Sequence, residues 1–139
     1  MKLKGVLLDA DSLGEKIDFS GLEQQLDAFD VYEQTTPQQL MARIQDADII
    51  LSNKVVLDEA AIRSCSSLKL ICVLATGMNN IDLETAAELN IPVKNAIAYG
   101  TNSVAQHTLM LMLMLTTQQV RYSKAIMDGQ WQQSPFFCM

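Results

Sequence analysis

The sequence predicts an α/β fold: a doubly wound, parallel, five-stranded sheet followed by a long C-terminal helix. Three observations lead there. Short apolar runs alternate with helical patterns of roughly ten residues, as in a sheet wound by crossover helices. The clearest run, Leu68-Lys-Leu-Ile-Cys-Val-Leu74, is nearly all apolar, as strands covered on both faces are. After Tyr99 the pattern changes to an uninterrupted helix signal that includes Leu109-Met-Leu-Met-Leu-Met-Leu115.

The elements follow in order. Lys4 to Asp9 is a strand ending in an acidic turn, Asp9-Ala-Asp11. Leu22, Leu26 and Phe29 lie at helical spacing, and Asp30-Val-Tyr-Glu33 reads as a weak strand. Thr36-Pro-Gln-Gln39 opens a helix: Thr36 suits the cap, Pro37 the first turn, and Gln39 can complete a capping box. Leu40 and Ile44 then face inward. Ala47 to Leu51 is a strand that stops at Ser52-Asn-Lys54. Asp58 caps a helix carrying Ala61, Ile62 and Cys65. Asp82 caps the helix after the central strand, and Asn90 suits its stop. Ile91-Pro-Val-Lys-Asn95 is short and carries proline, as an edge strand does. Right-handed crossovers place helices on both faces, with a flavodoxin-like strand order of 2-1-3-4-5. Thr101-Asn-Ser103 offers cap residues for a helix from Val104 to Val120. A second helix covers Tyr122 to Asp128, stopped by Gly129, and the tail from Trp131 shows no period.

Composition excludes several function classes. The chain has 139 residues, enough for one domain or one domain with an appendage. A net charge of −6 leaves no basic stripe for phosphates, so no nucleic acid is expected. The Leu/Met run is too short for a bilayer, which needs about 20 residues, so no membrane is expected either. The N-terminal residues run straight into a strand without signal-peptide architecture. Cys65, Cys72 and Cys138 lack metal-ligand spacing and read as reduced thiols of a cytoplasmic protein.

A helix that is apolar all round must be covered all round. A five-stranded domain covers one side of it. Burying each such side chain is worth about 1.5–3 kcal/mol, so leaving half of them wet would cost several kcal/mol. We therefore expect a helix lying between two bodies, another domain or another subunit. The alternatives are a core helix in a compact monomer, or a strand with Leu and Met on opposite faces.

Candidate chemistry centres on Val73-Leu-Ala-Thr-Gly-Met-Asn-Asn-Ile-Asp82, a strand opening into a glycine turn and a capped helix. Ligands of open α/β sheets bind outside such strand ends. Backbone N–H groups of Gly77, Met78 and Asn79 could form a nest for a carboxylate, glycine permitting close approach. An ordinary βα turn is the alternative. Asn53 and Lys54 end the neighbouring strand; Lys54 could pair with an anion and Asn53 orient it, or both could sit in a solvated loop. His107 is the lone histidine, in an apolar helix, and receives no catalytic role. No two of the glycines at 5, 14, 21, 77, 100 and 129 are one residue apart, so neither a GxGxxG fingerprint nor a P-loop occurs. Asp9 and Asp11 could evoke a signal receiver. That chemistry needs an aspartate after the third strand, where Ser52-Asn53 stands.

Ser52-Asn-Lys-Val-Val56, Ala75-Thr-Gly-Met-Asn-Asn-Ile-Asp82, Ile91-Pro-Val-Lys-Asn95 and Tyr99-Gly-Thr-Asn-Ser-Val-Ala-Gln-His107 resemble, in order and spacing, the D-2-hydroxyacid dehydrogenases. The detail is most similar to the glycerate dehydrogenase (hydroxypyruvate reductase) branch, as are Gly129-Gln-Trp131 and Ser134-Pro-Phe-Phe-Cys138. The resemblance implies that residues 1–98 form a substrate-binding domain and 99–139 an interdomain helix and dimerisation arm. It implies that Thr76, Gly77 and Met78 hold the substrate carboxylate beside the nicotinamide, with Asn53 and Lys54 on a second loop of the cleft. Thr76 and Val104 would touch the cofactor, NAD or NADP. The substrate would be a small 2-keto or 2-hydroxy acid, and the assembly a homodimer through the long helix. The family's nucleotide fingerprint and its catalytic arginine, glutamate and histidine lie further along than Met139. None of the residues here is assigned a catalytic role, and the expectation is a truncated, inactive chain that does not bind the cofactor alone. A non-catalytic module that dimerises and binds carboxylates is the alternative.

Overall fold

Strands form at or near the runs that predict them, the second two residues earlier than Asp30–Glu33. In a computed structural model of the chain, which describes residues 3–135, β1 (Lys4–Leu7), β2 (Ala28–Val31), β3 (Ile49–Ser52), β4 (Leu70–Val73) and β5 (Val93–Asn95) build one sheet. Every pairing is parallel and the order is β2-β1-β3-β4-β5, the flavodoxin-like order expected. Val6, Ile50, Ile71 and Val93 stand side by side across four strands. The similarity noted over Phe136-Phe-Cys138, and the thiol of Cys138, lie outside the described residues.

The order dictates which helix covers which face. The steps β2 to β3, β3 to β4 and β4 to β5 all run one way across the sheet, so right-handed crossovers put their helices on one face. These are α2 (Pro37–Ile44), α3 (Glu59–Ser64) and α4 (Leu83–Glu88). Leu40, Ile44, Ala61, Ile62 and Ala86 from them share one core with Val6, Leu8, Ile50, Ile71 and Val73. The step from β1 to β2 runs the other way and carries α1 (Ser20–Glu23) to the opposite face. Gly5 lies there; a methyl in place of its hydrogen would sit 2.5 Å from Leu26 Cδ1 and 3.1 Å from Phe29 Cδ2. With so short a helix on this face, Ile49, Leu70 and Cys72 are only half-buried.

Helix starts follow the local chemistry. Thr36 N–H donates to the Gln39 Oε1 at 3.1 Å, and Pro37 is the first residue of α2. Asp58 accepts from Ala61 N–H at 2.8 Å and Asp82 from Thr85 N–H at 3.0 Å. Asn90 ends α4 in the left-handed region, φ 56°, while Ile91 N–H donates to Ala86 O at 2.8 Å.

Three local expectations are corrected. Phe29 belongs to β2, not to a helix with Leu22 and Leu26. Asp27 and Ala28 N–H both donate to Leu3 O, and Asp27 Oδ2 accepts from Leu3 N–H, so the sheet captures the chain before the helical spacing can continue. The long helix also ends early. It runs as α5 (Thr101–Thr116), and Val120 lies in α6 (Gln119–Met127). Thr116 and Thr117 hydroxyls both donate back to Leu113 O, and Gln118 breaks the helix at φ 51°. Nor does Thr101-Asn-Ser103 cap α5 with a side chain: these residues are its first turn, and Val104 N–H donates to Gly100 O.

Contacts divide the chain between Ile97 and Ala98. The second unit holds α5, α6 and a 3-10 turn at Trp131–Gln133. Gly129, φ 68°, stops α6, with Gln130 N–H on Ala125 O at 2.8 Å. No residue of α5 is buried; Leu109, Met112, Leu113 and Leu115 are each more than half exposed. Among the described residues no helix is long and apolar enough to cross a membrane.

Two predictions arise here. Replacing Asp58 or Asp82 by Ala should each cost about 1 kcal/mol, the usual worth of an aspartate cap, read from urea unfolding midpoints. The second concerns Asp48, which fastens three strands at the other edge. Its carboxylate accepts from Lys4 N–H at 2.9 Å and from the Lys69 ammonium at 2.6 Å. The Lys69 hydrogen bond, then that of Lys4, holds its pKa below the usual carboxylate value, against the smaller effect of burial. A depressed folded pKa contributes stability that is full above the unfolded value of about 3.9 and is lost as pH falls through the folded one. Asp48→Asn should therefore lower stability at neutral pH and flatten its decline in acid. An unchanged acid limb would contradict this.

Candidate functional site

The site is built from two turns that leave adjacent strands at their C-terminal ends. The β3 turn runs from Asn53 to Asp58, and the β4 turn from Leu74 to Asp82. They are stitched to each other. Leu57 N–H donates to Asn80 O at 2.8 Å, Asp82 N–H to Leu57 O at 2.9 Å, and the Asn80 side-chain amide to Val55 O at 3.1 Å. Ser52, fully buried, donates its hydroxyl to the same Val55 O at 3.1 Å.

The β4 turn is also tied to the strand beyond it. Ala96 N–H donates to Ala75 O at 3.1 Å, the Thr76 hydroxyl to Ala96 O at 3.1 Å, and the Asn95 amide to Thr76 O at 2.7 Å. These bonds consume carbonyls and a hydroxyl. They leave the N–H groups of Thr76, Gly77 and Met78 with no protein acceptor among the described residues. Thr76 and Gly77 are exposed, and Met78 packs its side chain against the core. A row of unpaired backbone donors beside a strand end is free to bind water or an anion. Gly77 is not in the left-handed region; a Cβ there would come 3.1 Å from Asn79 Oδ1, so glycine serves close approach rather than an unusual φ.

The β3 turn is organised differently. Asp9, at the end of β1, is buried and takes the N–H groups of Asn53, Lys54 and Val55 on its carboxylate. The Asn53 side-chain amide donates to Ser12 Oγ at 2.9 Å. Asn53 is thus held at backbone and side chain. The Lys54 side chain is exposed, with no ion-pair partner among the described residues. Sequence reasoning placed Asn53 and Lys54 on neighbouring strand ends. It missed Asp9 as their support, and Asn80 and Asn95 as the residues that tie Val55 and Thr76. Only the acidic turn after β1 hinted at Asp9, and it did not show what the carboxylate would face.

A larger cleft, about 860 Å³, opens beside this turn between α2 and α3. Lys54 and Val55 line it, with Leu40, Met41 and Ala61, but Thr76, Gly77 and Met78 do not. Volume and unpaired donors therefore point to different places. Val104 and His107 lie on α5 in the other unit, both exposed. Cys65 and Cys72 are free, and burial pushes both thiols up; a neighbouring Ser64 hydroxyl slightly opposes this at Cys65. No group of three metal-ligating side chains occurs among the described residues.

The chain has relatives among known proteins. The catalytic domain described as D-isomer specific 2-hydroxyacid dehydrogenase matches residues 9–131. A hydroxypyruvate reductase from Blautia hydrogenotrophica is 34% identical over 140 residues, covering 98% of this chain and 43% of the relative. A glycerate dehydrogenase from Methylorubrum extorquens is 33% identical over 139 residues, covering 99% of this chain and 43% of that one. The chain thus spans less than half the length of these relatives. The crystal structure of an NADPH-dependent glyoxylate/hydroxypyruvate reductase from Sinorhizobium meliloti, in complex with citrate, superposes with a TM-score of 0.71 at 18% identity, over 99% of this chain and 42% of that one; it bears on the fold. With a matched stretch this long, the chain belongs to the D-isomer-specific 2-hydroxyacid dehydrogenase family.

Proposed function

We propose that this chain is the substrate-gripping part of an NAD(P)-dependent reductase of small 2-keto acids such as hydroxypyruvate or glyoxylate. The observation that carries the proposal is the run of unpaired N–H groups at Thr76, Gly77 and Met78. Backbone donors suit a carboxylate: they point at it from fixed positions and do not titrate. Lys54 adds a positive charge from the neighbouring turn, and Asn53 is its fixed base. Gripping the acid at the carboxylate would leave the C2 carbonyl outward.

The residues fit the acid and not the dinucleotide. The glycine spacing offers no pyrophosphate loop. Thr76 and Val104 are the two positions proposed to touch a cofactor. A nicotinamide supplies the hydride in such chemistry, and the residues proposed to hold its pyrophosphate and to move the proton are not among these 139. The division of labour proposed is residues 1–98 for the acid and 99–139 for interdomain and subunit contacts, in a cytoplasmic enzyme.

The bare helix α5 supports the second part of the reading. Leu109, Leu111, Met112, Leu113 and Leu115 remain exposed, and contiguous apolar surface of this kind marks an interface. A second copy of the chain is the proposed cover. Catalysis-free dimerisation with weak carboxylate binding is the runner-up, favoured by the same helix.

Adding hydroxypyruvate to the ¹⁵N-labelled chain should shift the amide signals of Thr76, Gly77 and Met78. Lys54→Ala should weaken that binding about fivefold, the worth of one exposed charge pair of about 1 kcal/mol. Shifts confined to other loops would contradict the site. The purified chain mixed with NADH and hydroxypyruvate should show no turnover; steady NADH oxidation would overturn the assignment of catalysis to residues elsewhere. Sedimentation equilibrium should give a dimer, and Leu111→Lys with Leu113→Lys should return a monomer. A wild-type monomer at all concentrations would remove α5 as a self-association surface.

A further inference from the structure

Holding a substrate does not explain why three consecutive N–H groups in the β3 turn converge on one internal carboxylate. Asp9 Oδ1 and Oδ2 lie 2.9 and 3.1 Å from Asn53 N, while Oδ2 lies 2.5 Å from Lys54 N and 3.2 Å from Val55 N. Asp9 itself is 6% exposed. A concave set of backbone N–H groups is a general anion site, able to hold any small carboxylate that reaches it. The β3 turn is such a site with the chain's own anion in it. The same residue extends the grip: Asp9 O accepts from the Ser12 hydroxyl at 2.6 Å, and Ser12 Oγ accepts from the Asn53 side-chain amide at 2.9 Å.

Two neighbouring turns therefore carry amide nests in opposite states. That of β3 is filled by Asp9; that of β4 has its N–H groups unpaired. We infer that Asp9 is a positioning residue that plugs the β3 nest, so that an incoming carboxylate has one nest to enter, at Thr76–Met78. The inference rests on the reading of Thr76–Met78 as the carboxylate site. Without the plug, the acid would have two competing seats on adjacent turns. The fold needs a buried acceptor at this spot for its three donors. A carboxylate is the one side-chain acceptor that satisfies all three and repels a second anion.

Asp9→Ala tests this in the 139-residue chain. Amide exchange at Lys54 and Val55 should quicken about tenfold, as loss of a charge-assisted bond requires, with Ile71 unchanged. Formate should restore the protection by occupying the vacated nest. Hydroxypyruvate, silent at Lys54 and Val55 in the wild type, should shift both amides in the variant. A merely structural aspartate would show no new hydroxypyruvate shifts in the variant, and their absence overturns the inference. If the wild type gives no hydroxypyruvate shift at Thr76–Met78, the carboxylate reading fails; formate rescue in the variant still shows that Asp9 plugs an anion nest. Should Asp9→Ala not fold, Asp9→Ser, which keeps a polar group at the spot, takes its place: new hydroxypyruvate shifts at Lys54 and Val55 support the plug and their absence overturns it.

Discussion

The stitch between the β3 and β4 turns is the constraint from which the site follows. Leu57 and Asn80, with Asp82 and Val55, exchange hydrogen bonds across two turns that would otherwise be independent loops. Each bond uses a carbonyl or N–H on the inner side of a turn. Thr76, Gly77 and Met78 are left with donors that nothing in the described residues accepts. An unpaired backbone donor is tolerated where water or a ligand reaches it. Exposure at Thr76 and Gly77 meets that condition.

Support for the stitch comes from the sheet itself. β3 and β4 are paired from Ile49 and Leu70 to Ser52 and Val73, so their turns start level. Asp48 and Lys69 secure the opposite edge of the same strands. Ile62, Leu57 and Ile81, all buried, pack the base of the two turns onto the core. A change in register of one residue would separate the turns by a strand rise of about 3.3 Å and break the exchanged bonds.

The sheet was legible because its signals are local and redundant. Leu68–Leu74, the aspartate caps at 58 and 82, and Asn90 each state one element by their own chemistry. Phe29 was not, since a long-range capture by Leu3 overrides the helical spacing around it. The end of α5 was not, because two threonine hydroxyls competing for one carbonyl leave no mark on hydrophobic periodicity. Gly77 stood out by its place after a buried strand. Asp9 did not, although it orders the neighbouring turn, because its partners lie more than forty residues away. Positions follow from pattern; partnerships across the sheet edge need the fold.

The account stands on Thr76–Met78 as the seat of the acid. A crystal structure of the chain with oxalate, a small unreactive analogue of a 2-keto acid, tests it most directly. The account predicts one carboxylate of oxalate within hydrogen-bond distance of the backbone nitrogens of Gly77 and Met78, with the Lys54 ammonium turned toward it. Oxalate seated instead in the cleft between α2 and α3, with those amides bound only to water, would contradict it.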